Sequence, residues 1–271
     1  MQIAPRINAE RLMLLAWPRA ILLQIAHPLI AAGVAEHSSF RDGPLAAAKR
    51  LRHVVRAMLA LTFGGPDAHA ATIGRIRALH RQVHGQLKVA AGPFPAGTRY
   101  SAEDPALVLW VHATLLESVV MAYEALIGPL GEAGRDAYCA ESAWVPIALG
   151  ARAEDIPRSW AVLSTLMTEI YQSGAIAVTP DARALASAVL SPPLAALSGP
   201  LAAINRLVTR GLLPAPVRAE YGYTWTESDA RRLDRVMRLL RRTRRWLPRA
   251  VATWPESRAR AAATRPASPA A

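Results

Sequence analysis

The stretch Asp104-Pro105-Ala106-Leu107-Val108-Leu109-Trp110-Val111-His112-Ala113-Thr114-Leu115 decides the fold class. Ser101 and Asp104-Pro105 supply an opening signal, and proline is tolerated in a helix's first turn because its missing N–H has no partner there anyway. The apolar run predicts one long helix to about residue 127. Outward from it, the same pattern repeats. Helices are expected over 9–17, ended by Pro18, and over 19–25, disturbed at His27-Pro28 because a residue before proline is pushed out of the helical region. Further helices are expected over 45–63, 67–83 with Asp67 as N-cap, 131–149, 157–173, 179–190, 194–210 and from Thr226, whose Thr226-Glu227-Ser228-Asp229 resembles a capping box. A loop is expected over 92–99, and a Pro192-Pro193 turn breaks the longest uncharged run, 184–205. The expectation is an all-α, multi-helix single domain over 1–257, with a disordered Ala/Arg/Pro tail over 258–271.

Composition supports this reading and removes several others. Of 271 residues, 52% are hydrophobic and only 6% aromatic, too apolar for a disordered chain. The single Cys139 excludes an intramolecular disulfide framework and a cysteine-ligated zinc finger. Lys+Arg number 32 against 20 Asp+Glu, a net +12, and only Lys49 and Lys88 are lysines. From Arg231 onward lie twelve arginines opposed by Asp234 and Glu256, so most of the net charge belongs to the C-terminal stretch. The body is near neutral, and no specific nucleic-acid partner is expected. No signal peptide or spanning helix is evident, which points to a cytoplasmic protein with peripheral membrane contact as an option for the arginines.

Chemistry rests on seven histidines: His27, His37, His53, His69, His80, His84 and His112. There is no Gly-x-Ser-x-Gly elbow, Walker loop or Gly-x-Gly-x-x-Gly, and catalytic carboxylate pairs are not evident. His80 and His84 share a helical spacing able to bind one metal, but Arg81 follows His80, so the metalloprotease pattern is absent. His27, next to proline, suits a hydrogen bond to a broken helix end; His112 suits a buried side chain bonded to backbone or a pocket contact.

The order of motifs resembles the MpaB/rubber-oxygenase family, which includes latex-clearing proteins. It includes Gln24-Ile25-Ala26-His27-Pro28, Ala31 through Phe40, Arg50-Leu51-Arg52, Phe63-Gly64, Leu79-His80-Arg81-Gln82-Val83-His84-Gly85, Tyr100 through Pro105, Trp110 through Leu115, Tyr138 through Glu141, Leu213-Pro214, Arg218, Tyr221-Gly222, Trp225-Thr226 and Trp246-Leu247-Pro248. The resemblance implies a globin-like helical core, haem b and O2, and oxidative C=C cleavage of an isoprenoid or other lipid-like apolar small molecule. By motif, His80 is the axial iron ligand, Arg50 the distal arginine, and His53 stands where the rubber enzymes carry a lysine. Val54 replaces the family's threonine, so a distal hydroxyl is missing and His53 becomes a candidate second ligand. Glu36 is a candidate proton acceptor, and His27 and His112 are candidate cofactor contacts. Two alternatives remain: a haem-binding sensor or carrier without turnover, and a membrane-associated helical protein without cofactor.

Overall fold

The computed structural model describes residues 2–38, 44–190 and 199–263, with the side chains of 44–51 and 261–263 left aside. Helix α1 (Ile3–Asn8) leads through a 3-10 turn (Arg11–Leu15) into α2 (Trp17–Ile25), α3 (Pro28–His37), α4 (Pro44–Phe63) and α5 (Pro66–His80). A short antiparallel hairpin, β1 (His84–Gln86) with β2 (Arg99–Ser101), pairs Gly85 with Tyr100. Then come α6 (Pro105–Leu126), α7 (Gly131–Ser142), α8 (Trp144–Ala148), α9 (Trp160–Gln172) and α10 (Pro180–Leu190). The described chain closes with α11 (Gly199–Leu212), α12 (Ala215–Glu220), α13 (Glu227–Trp246), α14 (Arg249–Ala252) and α15 (Pro255–Ala263).

Helix α6 is the axis of this bundle. The Asp104 carboxylate accepts the Ala106 N–H at 2.8 Å, and Pro105 fills the first turn, as the sequence predicts. A helix apolar on all sides must be covered on all sides. Here α2 lies along it, with α9 and α13 on other flanks. Among the described residues α6 alone is by itself long and apolar enough to cross a membrane, yet 67% of its most apolar window is buried inside the protein. Two buried hydrogen bonds fix α2 in place: Trp110 Nε1–H donates to the Leu23 carbonyl at 3.3 Å, and the Tyr221 hydroxyl donates to that of Leu22 at 2.6 Å.

Within that apolar packing sits Arg19, only 1% exposed. Its guanidinium reaches Glu117 at 2.7 Å, Ser118 Oγ at 2.6 Å and the Leu212 carbonyl at 2.6 Å. A charge this deep persists only with a counter-charge and filled hydrogen bonds, and Arg19 has both. The network joins α2, α6 and the end of α11.

Several local expectations change. Pro18 begins α2 instead of ending a preceding helix, because it occupies the first turn where no N–H is required. The chain bends by 106° between α2 and α3 at His27-Pro28, as the pre-proline restriction requires. Gly65, not Asp67, is the N-cap of α5; Asp67 lies in the first turn, where a carboxylate still favours the helix dipole. The predicted helix over 131–149 divides at Ala143 into α7 and α8. Helix α15 runs through Arg258 to Ala263, where a loose tail was expected to begin. Pro192-Pro193 and residues 264–271 lie outside the described residues.

Candidate functional site

The α4–α5 pair is a helical hairpin set by Gly64-Gly65-Pro66. A Cβ on Gly64 would strike the Ala60 carbonyl and come within 2.8 Å of the Ala68 Cβ, so only glycine lets the two helices turn this tightly. At about 1.5 Å per residue, Arg50 on α4 and His80 on α5 stand at nearly equal heights from that turn, with His53 somewhat closer to it. The family-matched residues thus share the open end of one hairpin. The Arg50 side chain lies outside the described residues. His53 and Val54 are exposed on α4.

His80 closes α5. Its Nδ1 is buried, with no hydrogen-bond partner among the described residues. Burial pulls its pKa below the ordinary histidine range, against a weaker opposing pull from Glu103. A neutral imidazole keeps a lone pair available, the state a metal ligand requires. Leu79, next to His80 in sequence, is open to solvent, as are Val54 on α4, Val111 and Leu115 on α6 and Trp144 on α8. At the other end of α5, the His69 ring packs on Trp144 with centroids 4.8 Å apart, and its Nε2 is likewise buried with no partner among the described residues.

The other candidates are placed elsewhere. His27 is the N-cap of α3: its Nδ1 accepts the Leu29 N–H at 3.3 Å, and its ring rests 5.1 Å from Phe94. That is the helix-end bond expected from its place before proline, and it occupies one of the two ring nitrogens that a cofactor contact could use. Burial lowers its pKa to about 4, opposed by Asp104. His112 is buried on α6, its Nε2 without a hydrogen-bond partner among the described residues, and burial alone lowers its pKa to about 4. Glu36, on α3, pairs with Lys88 at 2.7 Å and accepts the Tyr100 hydroxyl. Those hydrogen bonds, Lys88 first, hold its carboxyl below its usual pKa. A carboxylate held in this way is a weak base and a firm acceptor, so Glu36 positions Tyr100 more readily than it takes up a proton. His84, the rival of His80, is on β1 and exposed; its backbone carbonyl is 3.1 Å from His37 Nε2.

Tyr100, Lys88 and Trp144 escaped the sequence reading. Tyr100 stands at the head of a recognised motif, but the pairing of Gly85 opposite it depends on a hairpin of three-residue strands without alternation. Lys88 had one available signal, as one of two lysines in an arginine-rich chain.

Among the described residues, no group of three or more His, Cys, Asp or Glu side chains converges to hold a metal ion. A haem supplies four nitrogens of its own and needs as little as one side-chain ligand from the chain, for which the His80 imidazole is a candidate.

These features define a helical-bundle protein whose candidate site sits on a histidine-bearing hairpin beside a buried central helix. The chain belongs to the family described as the ER-bound oxygenase mpaB/B'/rubber oxygenase catalytic domain, whose model matches residues 5–242. Uncharacterised proteins of Mycobacterium bovis and Mycobacterium tuberculosis are each 29% identical to it over 239 residues, covering 84% of this chain and 87% of theirs. No solved structure matches the chain.

Proposed function

We propose that the chain is a haem b-dependent oxygenase that acts with O2 on an apolar substrate, isoprenoid or otherwise lipid-like, by oxidative C=C cleavage. Membership of an oxygenase family supports the reaction class. The observation that carries the cofactor is His80: a half-buried imidazole, biased towards its neutral form by desolvation, whose buried Nδ1 has no hydrogen-bond partner among the described residues. When bound, the haem supplies O2 activation. The chain would offer the His80 imidazole as a ligand to the haem iron and shield the site with apolar side chains of the α4–α5 hairpin. Arg50, at the same height on the neighbouring helix, brings a permanent positive charge suited to a propionate or to a developing oxyanion. Glu36 holds Tyr100 protonated and oriented at Oε2.

A second reading, a haem carrier or sensor without turnover, is favoured by Val54, which offers no hydroxyl on the distal side, with His53 beside it.

The test is the visible spectrum of protein expressed with haem supplied. A Soret band is expected in the wild type and its loss in a folded His80→Ala variant. Wild-type protein without the band, or a variant that keeps it unchanged, overturns the assignment. Carbonyl products from a polyprenyl substrate under O2, sought by mass spectrometry, separate oxygenase from carrier; a haem-loaded protein that yields none is a carrier.

A further inference from the structure

The C-terminal arginines divide into two kinds. Arg244 and Arg260 turn inward: Arg244 grips Glu10, and Arg260 donates to the Thr62 carbonyl at 2.6 Å. Those on the outer arc of α13 do not. At about 100° per residue, Arg235, Arg238, Arg242 and Arg245 fall on one side of the helix, and all four are exposed. None of the four has a salt bridge among the described residues. The opposite side of α13, with Leu233, Met237 and Leu240, is taken up by the core.

An uncovered apolar group nevertheless appears at the C-terminal end of this basic arc. Trp246 is 87% exposed, and Leu239, Leu247 and Val251 are exposed with it. Arg249 stands in the same stretch, also exposed. The platform is held rigidly: the Glu10–Arg244 pair and the Trp254 N–H bond to the Ala9 carbonyl, 3.0 Å, tie both sides of the end of α13 to the N-terminal segment.

We propose that this end of the molecule docks on the anionic headgroup surface of a membrane. The arginines meet lipid phosphates while Trp246, Leu247 and Val251 enter the interfacial layer. Unneutralised guanidinium groups supply charge complementarity to an acidic leaflet. An indole among arginines matches the headgroup region, where one part of the surface is wet and the other oily. Phosphates of a nucleic acid would satisfy the same arginines but offer nothing to Leu239, Leu247 and Val251, so the aliphatic groups decide for lipid. This inference goes beyond the oxygenase reading and does not rest on it.

Sedimentation with vesicles tests it without haem or substrate. The full chain is expected to bind vesicles of phosphatidylcholine mixed with phosphatidylglycerol, to ignore pure phosphatidylcholine, and to be released by salt. An Arg238→Gln/Arg242→Gln/Arg245→Gln variant should lose roughly 100-fold in partitioning, at about fivefold per arginine. Trp246→Ala should weaken binding while leaving its salt dependence intact. All these side chains are exposed, so melting curves should match the wild type. Equal binding to both vesicle types, no binding to either, or variants that bind like wild type would overturn the proposal. So would tighter binding to duplex DNA than to the acidic vesicles with Trp246→Ala making no difference.

Discussion

Arg244 closes a two-bond fork on the Glu10 carboxylate, Nε to Oε2 at 2.6 Å and Nη2 to Oε1 at 2.5 Å, across 234 residues of sequence. The hydrogen bonds to Glu10 raise the Arg244 pKa, and both side chains are largely withdrawn from water. Removing one partner leaves the other charge without compensation. Arg244→Ala should therefore cost about 3 kcal/mol in urea denaturation, and Arg244→Lys should recover only part of it, because an ammonium cannot form the fork. Wild-type stability in Arg244→Ala would mean the pair is effectively solvated.

His27 and His112 make the protein sensitive to mild acid. Burial holds both near pKa about 4, while an unfolded histidine titrates near 6.5. Between those values the unfolded chain binds protons that the native chain refuses. Their contribution is complete above about 6.5 and is lost as pH falls towards 4, on the order of 3 kcal/mol for each. His112→Leu should flatten the dependence of unfolding free energy on pH across that window. A slope identical to wild type would show that His112 protonates in place.

Gly85 is required by Tyr100. A Cβ there would lie 2.5 Å from the Tyr100 hydroxyl and 2.7 Å from its Cζ, and Tyr100 is buried and bonded to Glu36. Gly85→Ala should destabilise by about 1–3 kcal/mol, the usual cost of overpacking, whereas Gly65→Ala, with open space around it, should cost far less. Thermal melting of the two variants makes the comparison, and equal losses would refute it.

The capping box of α13 is complete: Asp229 N–H donates to Thr226 Oγ1 at 3.2 Å, and the Thr226 N–H donates to Asp229 Oδ2 at 2.9 Å. Thr226→Ala should cost about 1 kcal/mol. A melting temperature unchanged from wild type would show that the packing of α13, not its cap, sets the stability of its first turn.

Much of the helical framework was legible because its signals are local. Asp104-Pro105, Thr226 with Asp229, and His27-Pro28 each act within one turn, and each appears where its chemistry demands. Asp67 misled because Gly65 and Pro66, two residues earlier, already start the helix. Arg19 was illegible: an arginine within an apolar run reads as a surface residue until Glu117 and Ser118 arrive from another helix. Arg244 is the same case, one of twelve arginines from Arg231 onward. For the candidate site, order along the chain singled out His80, but its partial burial and the ties of Glu36 to Lys88 and Tyr100 exist only after tertiary packing.

The position of α2 also dictates when the protein can finish folding on the ribosome. Its partners beyond the neighbouring α3 include α6, α10 and α11, and its carbonyl at Leu22 waits for Tyr221. An apolar helix made 199 residues before Tyr221 therefore remains without its complete cover until that residue has emerged. Nascent chains halted before Tyr221 should expose that surface, making them substrates for chaperones and proteases that the finished protein escapes.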